Sequence, residues 1–264
     1  MIDPTTDTVT LIGSVYSGIN KWLHITEADN GKLYCTPYEA TQVLMIDPTT
    51  NTTSLIGSVY SGSEKWGKII KATNGKLYCT PFTNTQVLMI DPTTNTTSLI
   101  GSVYSGSEKW LYAINHSNGK IYCSSYSALS ILVIDPATDT TSLIGSPYPV
   151  IGIIEADNGK LYCAPYNATQ VLMIDPVNNT TSLIGVASKV VLGYHGIAKI
   201  SNGRLVFAPR NASQALMVDT INNTAFVIGN NYSGEHKYVN VVKADNGKLY
   251  CVPHTATRVL EIDI

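Results

Sequence analysis

The residues best equipped for chemistry gather in the last third of the chain. His195, Arg210, Glu235, His236 and His254 follow one another there. Imidazoles titrate near neutrality, so they take or give protons, and beside a carboxylate they also hold metals. These five point to an acid–base pair or a metal site, against the plainer expectation of scattered loop histidines, because no local motif enforces ligand spacing. A second set is aromatic: Trp22, Trp66, Trp110, Tyr194 and Tyr238 recur at one repeat position, with Val150 in the remaining copy. Such rings suit stacking on sugars or planar ligands, and equally suit packing between repeats. Lys21, Lys65 and Lys109 precede the tryptophans, Glu64 and Glu108 precede two of those lysines, and these charged neighbours are expected to be solvated. Two residues beyond the aromatic position stand His24, Lys68, Tyr112, Gly152, Gly196 and Asn240. This variable column either binds something or has drifted for want of constraint.

Motif scans assign no catalytic residue. There is no phosphate-binding glycine loop, nucleophile elbow, H-E-x-x-H, C-x-x-C or EF-hand loop. No metal and no cofactor is assigned. Cys35, Cys79, Cys123, Cys163 and Cys251 occupy one repeat position, with Phe207 in the sixth copy. Copies about 60° apart around a ring lie beyond disulfide reach. The thiols are expected to be small buried hydrophobes rather than a metal or redox cluster. Unpaired thiols and a start without a signal-like segment predict a cytoplasmic protein, with a trimmed leader as the alternative.

A repeat must position all of these groups. Asp3, Asp47, Asp91, Asp135, Asp175, Asp219 and Asp263 follow one another at gaps of 44, 44, 44, 40, 44 and 44 residues, and residues 45–66 and 89–110 are identical. Each unit holds four short β-rich segments, here A to D. A leads through Asn-Gly, expected to form a type I′ turn, into B; C ends at Asp-Pro, and D precedes a longer crossing. Four antiparallel strands per unit of this length make a propeller blade. The expected fold is all-β: one domain, a six-bladed β-propeller with blades at about 15–58, 59–102, 103–146, 147–186, 187–230, and 231–264 plus 1–14. The ends fit a ring: TVTLIGS is a D strand without A to C, and residues 238–264 supply A to C without D. Pairing them would close the ring and remove an exposed edge. The fourth unit is shortened by four residues around Pro147 and Pro149, leaving an expected notch in the rim.

HGIAKISNGRLVFAPRNASQALMVD and NVVKADNGKLYCVPHTATRVLEID, from the fifth and sixth units, resemble blades of NHL-type propellers and, more loosely, of gluconolactonase-like lactonases. The resemblance spans about 25 residues of each blade, and Pro37, Pro81, Pro165, Pro209 and Pro253 replace the family's usual Asp after strand B. It implies blade layout rather than activity, because such rings serve as protein or RNA platforms and as enzymes.

Charged residues make up 14% of the chain and the formal net charge is −2, with no basic block. This disfavours a nucleic-acid partner, and the short apolar runs cannot span a bilayer as a helix. A monomer is expected. Near-identical copies, aromatic positions and an Asn/Thr-rich surface favour a non-catalytic binding module for a glycan or protein partner. A ligand-free structural scaffold, engineered or recently amplified, ranks second. A metal-dependent, lactonase-like hydrolase or lyase ranks third.

Overall fold

Turn chemistry sets the strand breaks. The Ala28 carbonyl accepts from Gly31 N–H at 3.0 Å, and Ala28 N–H donates to the Lys32 carbonyl at 2.9 Å. Gly31 sits at φ 72° while Asn30 keeps φ negative. This is a three-residue loop, a type I turn closed by a left-handed glycine, and not the expected two-residue type I′ turn. The Asn30 side chain supplies the reason: Oδ1 accepts from Lys32 N–H and Nδ2 donates to Tyr34 Oη, both at 3.0 Å. Asn74, Asn118, Asn158 and Asn246 repeat the arrangement. The fifth repeat has Val206 in place of the tyrosine, and there Asn202 and Gly203 both take positive φ, at 62° and 67°.

The computed structural model describes residues 2–3, 7–127, 130–185 and 193–264. The start of the expected fifth blade, 187–192, and Met1 and residues 4–6 of the N-terminal stretch lie outside the described residues. The described residues form β-strands and no helix, so none is long and apolar enough to cross a membrane as one.

The chain separates into two compact units, Met1–Ser107 with Asp135–Thr141, and Glu108–Ile134 with Ser142–Ile264. The first unit opens with β1 (Ile2–Asp3) and β2 (Thr8–Val9). Its first sheet is β3 (Trp22–Glu27), β4 (Leu33–Pro37), β5 (Val43–Asp47) and β6 (Thr52–Ile56). Its second is β7 (Trp66–Lys71), β8 (Leu77–Pro81), β9 (Val87–Asp91) and β10 (Thr96–Ile100). A third sheet, chiefly in the second unit, comprises β11 (Trp110–Asn115), β12 (Ile121–Ser125), β13 (Ile131–Asp135) and β14 (Thr140–Ile144). The second unit continues with β15 (Val150–Glu155), β16 (Leu161–Pro165), β17 (Val171–Asp175) and β18 (Thr180–Ile184). Then come β19 (Tyr194–Lys199), β20 (Arg204–Pro209), β21 (Ala215–Asp219) and β22 (Thr224–Ile228). The last sheet is β23 (Tyr238–Lys243), β24 (Leu249–Pro253) and β25 (Leu260–Ile262). Each four-stranded sheet keeps its strands in chain order, as the repeat predicts.

Every first strand carries a β-bulge that the sequence pattern did not show. In β7 the register passes from Trp66↔Pro81 to Ile69↔Cys79, and in β19 from Tyr194↔Pro209 to Ile197↔Phe207. A bulge bends the strand and re-aims the side chains it contains. His24, Lys68, Gly152, His195 and Gly196 lie in these bulges, and Tyr112 and Asn240 at their ends.

Apolar residues of successive sheets interdigitate into the cores. In the first unit these include Tyr34, Val43, Trp66, Leu77 and Leu88; in the second, Tyr162, Val171, Phe207 and Leu216. All five cysteines are free and buried, as expected. Burial pushes the Cys35 thiol up to about 11 and those of Cys79 and Cys251 up to about 12, so they remain protonated.

One further expectation needs correction. Lys65 is not solvated: it is 1% exposed, and its Nζ donates to the carbonyls of Gly62 at 2.7 Å and Tyr38 at 3.0 Å. Lys109 and Lys237 are also buried, and Lys21 and Lys237 bond the carbonyls of Gly18 and Gly234 in the same way. The crossing turns sharply, through φ 102° at Gly62 and 52° at Glu64, and the ammonium satisfies a carbonyl of that turn. Among the described residues of the N-terminal stretch, Thr8–Val9 pairs with Ile2–Asp3 as a local hairpin, and the last sheet is described with three strands. The short connection from β1 to β2 makes the local pairing entropically cheap.

Candidate functional site

The residue after strand B occupies the rim. In the second unit this position is Tyr126, Tyr166, Arg210 and His254. Tyr126 and Tyr166 pack at a tilt of 38° with ring centroids 5.2 Å apart and share a hydroxyl–hydroxyl hydrogen bond of 3.3 Å. The Arg210 guanidinium lies 5.5 Å from the Tyr166 ring centroid and donates from Nη1 to Tyr166 Oη at 3.0 Å. Its Nη2 lies 2.8 Å from Nδ1 of His236. Arginine has only donors, so this nitrogen of His236 accepts and a neutral ring carries its proton on Nε2. The His236 and His254 rings follow, 6.2 Å apart, and the His236 N–H donates to Asn211 Oδ1 at 2.7 Å. Arg210 is therefore clamped from two sides, with a buried Nε that makes no hydrogen bond.

His195 stands beside this row, held by the β19 bulge. Its ring meets Tyr112 edge to face at 5.9 Å. Burial holds its pKa down to about 4; the nearby Arg210 charge and His254 add to this, and a hydrogen bond with the Val239 backbone opposes it. At neutral pH His195 is thus an uncharged proton acceptor next to a fixed cation. Burial raises the Tyr112 and Tyr126 hydroxyls, with Tyr166 adding to both and Arg210 opposing, so both keep their protons as donors. Together the groups offer a base, an anion-stabilising guanidinium and hydroxyl acids. Among the described residues, no three His, Cys, Asp or Glu side chains come together as metal donors.

Comparison with known proteins was made at the level of sequence and of structure. No protein-family model and no curated protein matches the chain. Solved structures do. Virginiamycin B lyase from Staphylococcus aureus matches with a TM-score of 0.66 at 13% identity, over 91% of this chain and 83% of that one. A catalytically inactive variant of that lyase with quinupristin matches with a TM-score of 0.66 at 12% identity, over 93% and 86%. A streptogramin B lyase matches with a TM-score of 0.61 at 14% identity, over 88% and 90%.

The fold is that of a β-propeller. At these identities the likeness carries the fold alone. Lyases stand among the propellers it matches, against the ranking that put a non-catalytic binding module first. The aromatic column weakens that ranking further. Trp66 and Trp110 are buried, and their indole N–H groups donate to the backbone carbonyls of Gln86 and Ser130 at 2.9 Å. Trp22, half-buried, bonds Gln42 O at 3.0 Å and packs edge to face on Tyr16 at 5.0 Å. Tyr194 and Tyr238 are buried as well. Trp66, Trp110, Tyr194 and Tyr238 are thus packed inside, while Trp22 keeps part of its surface exposed.

The remaining candidates divide between the two units. In the first, His24 lies 3.3 Å from the Gly67 carbonyl; burial, then Lys68, lowers its pKa. In the second, Tyr112 and Asn240 line a cavity with His195. Glu235 is exposed and takes part through its carbonyl, which accepts from Thr255 Oγ1. The notch at the fourth blade is laced: Ser125 Oγ donates to Tyr148 O at 2.6 Å, and Gln170 N–H to Tyr148 Oη at 2.9 Å. Sequence reasoning missed Tyr126, Tyr166 and Asn211. Its available signal was the column after strand B, which reads Tyr38, Phe82, Tyr126, Tyr166, then Arg210 and His254. Four aromatics followed by a cation and an imidazole mark where packing gives way to chemistry.

Proposed function

We propose that this propeller is a lyase that eliminates an oxygen leaving group from a carbonyl compound, with His195 as base. The observation that carries this reading is an uncharged His195 beside an Arg210 fixed by Tyr166 and His236. His195 takes the proton from the carbon next to the carbonyl. The electron pair released forms the carbon–carbon double bond as the bond to the leaving oxygen breaks, and a tyrosine hydroxyl or His254 returns a proton to that oxygen. Arg210 balances the negative charge that gathers on the carbonyl oxygen in between. The solved relatives named as lyases, one of them with quinupristin, support the choice of reaction class.

Quinupristin is the first substrate to test, followed by a panel of β-acyloxy and β-alkoxy carbonyl compounds. Elimination within a ring leaves the mass unchanged, whereas hydrolysis adds one water, so mass spectrometry separates the two. His195→Gln should abolish the product and Trp66→Phe should retain it. No product from any member, or product formed equally by His195→Gln, refutes the reading.

Six blades closed by the N-terminal strand are part of the same proposal. Gly13, Gly57, Gly101, Gly145 and Gly185 each end a D strand, and a Cβ on any of them would fall within 2.5 Å of a Thr or Ala one repeat further on. Gly229 ends the equivalent strand and has nothing within 4 Å. The repeat assigns that place to Val9.

A further inference from the structure

In the second unit, the variable column opens on a cavity of about 480 Å³ walled by β11, β15, β19 and β23. Small-molecule sites run from ~300 to 1,000 Å³. Two adjacent glycines shape it. Gly152 has φ 61°, and a Cβ on Gly196 would fall 2.5 Å from Asn240 Cα, so the strands approach too closely for side chains there. The equivalent positions of the first unit carry His24 and Lys68. Ala113, Ile153, Ile197 and Val239 form the apolar walls, and Tyr112, His195 and Asn240 supply the polar groups. Among the described residues, no Asp, Glu, Lys or Arg lines the cavity.

A charged group packed against these walls would lose its hydration, and no lining residue supplies a counter-ion, the neighbouring Arg210 being engaged by Tyr166 and His236; an uncharged apolar group loses nothing there. We propose that the cavity receives an uncharged apolar arm of the substrate, an aromatic ring or a branched aliphatic group, and so holds the substrate carbonyl against His195 and Arg210. The second half of this inference rests on the lyase reading; the preference for an uncharged arm rests on the cavity walls alone. It narrows the substrate to an amphipathic ester or ether with an uncharged arm.

The test uses prodan, a neutral naphthalene ketone whose emission moves to the blue in apolar surroundings, alongside the anionic anilinonaphthalene sulfonate. The unaltered chain should bind prodan saturably with a blue shift and bind the sulfonate poorly. Asn240→Lys places an ammonium in the cavity at a position where the second repeat already carries Lys68, so folding should survive. Prodan binding should then weaken by about tenfold or more, since the ammonium must be buried or displaced. Ala113→Trp fills the same space and should abolish binding. Absence of saturable prodan binding, equal binding of the sulfonate, or indifference to both substitutions in folded protein overturns the inference. Product formation is measured on the same samples. Cavity binding without His195-dependent product leaves the cavity standing and the lyase refuted; product that is indifferent to Asn240→Lys and Ala113→Trp does the reverse.

Discussion

Replacing Arg210 by methionine keeps an unbranched apolar stem and removes the charged guanidinium, and the group that should register the loss is His195. Its pKa is held at about 4 against an ordinary 6.5. Each pKa unit is worth about 1.4 kcal/mol, so the folded protein resists protonating this ring by about 3 kcal/mol at most, with solvent screening reducing the figure because the ring is only half-buried. Burial is the larger cause and survives the substitution; Arg210 is the next and does not. In Arg210→Met the His195 pKa should therefore rise but stay below 6.5, while Arg210→Lys, which keeps the charge, should move it less. The sign for stability follows. The unfolded ring protonates first as pH falls below 6.5 and the folded ring only near 4, so the unaltered protein loses stability across that window, and Arg210→Met loses less of it. Imidazole NMR titrations, with His195→Gln identifying the signal, measure both variants directly. A His195 that titrates near 6.5 in the unaltered protein, or that is unmoved in Arg210→Met, refutes the electrostatic basis of the site.

Two further outcomes are expected from the scaffold. Lys65→Met removes the buried ammonium that bonds Gly62 and Tyr38 and should cost about 1–3 kcal/mol in urea unfolding; a change within about 0.5 kcal/mol, typical of a surface site, would refute its capping role. Gly57→Ala would drive a Cβ to 2.3 Å from Thr97 at φ 73°, whereas Gly229→Ala meets nothing at φ 81° unless Val9 completes the last sheet. Closure predicts similar losses for both variants, and removal of residues 1–13 should then relieve the Gly229→Ala loss. A Gly229→Ala loss confined to the ~1 kcal/mol typical of a left-handed backbone, and unaffected by that removal, would count against closure.

The repeat made the sheets legible, because Asn-Gly, Asp-Pro and the apolar segments recur at fixed spacing and each is a local instruction. What escaped depended on where partners sit in three dimensions. Asn30 looks like half of a type I′ turn until Tyr34 and Lys32 are seen to occupy its side chain. Lys65 reads as a surface charge because its acceptors are carbonyls, and carbonyl directions are set by φ values rather than residue types. Trp66 reads equally well as a ligand platform or as packing, and only the position of the neighbouring strands separates the two. The cluster at His195, Arg210, His236 and His254 was legible as a departure from the repeat. The tyrosines that fix it were not, because they continue an aromatic column and so resemble scaffold.

The bulge in each first strand gives the molecule a division of labour between copying and change. Residues 45–66 and 89–110, identical at all twenty-two positions, show that the ladder is held constant. The position two residues past the aromatic, inside the bulge in four copies and at its end in two, still reads His24, Lys68, Tyr112, Gly152, Gly196 and Asn240. An extra residue held outside the regular hydrogen-bond ladder can be exchanged without breaking a cross-strand pair. Each duplication of the repeat therefore delivers a stable sheet together with one nearly independent address for a new side chain. A chain of such repeats can acquire a new specificity one sheet at a time while every other sheet goes on folding as before.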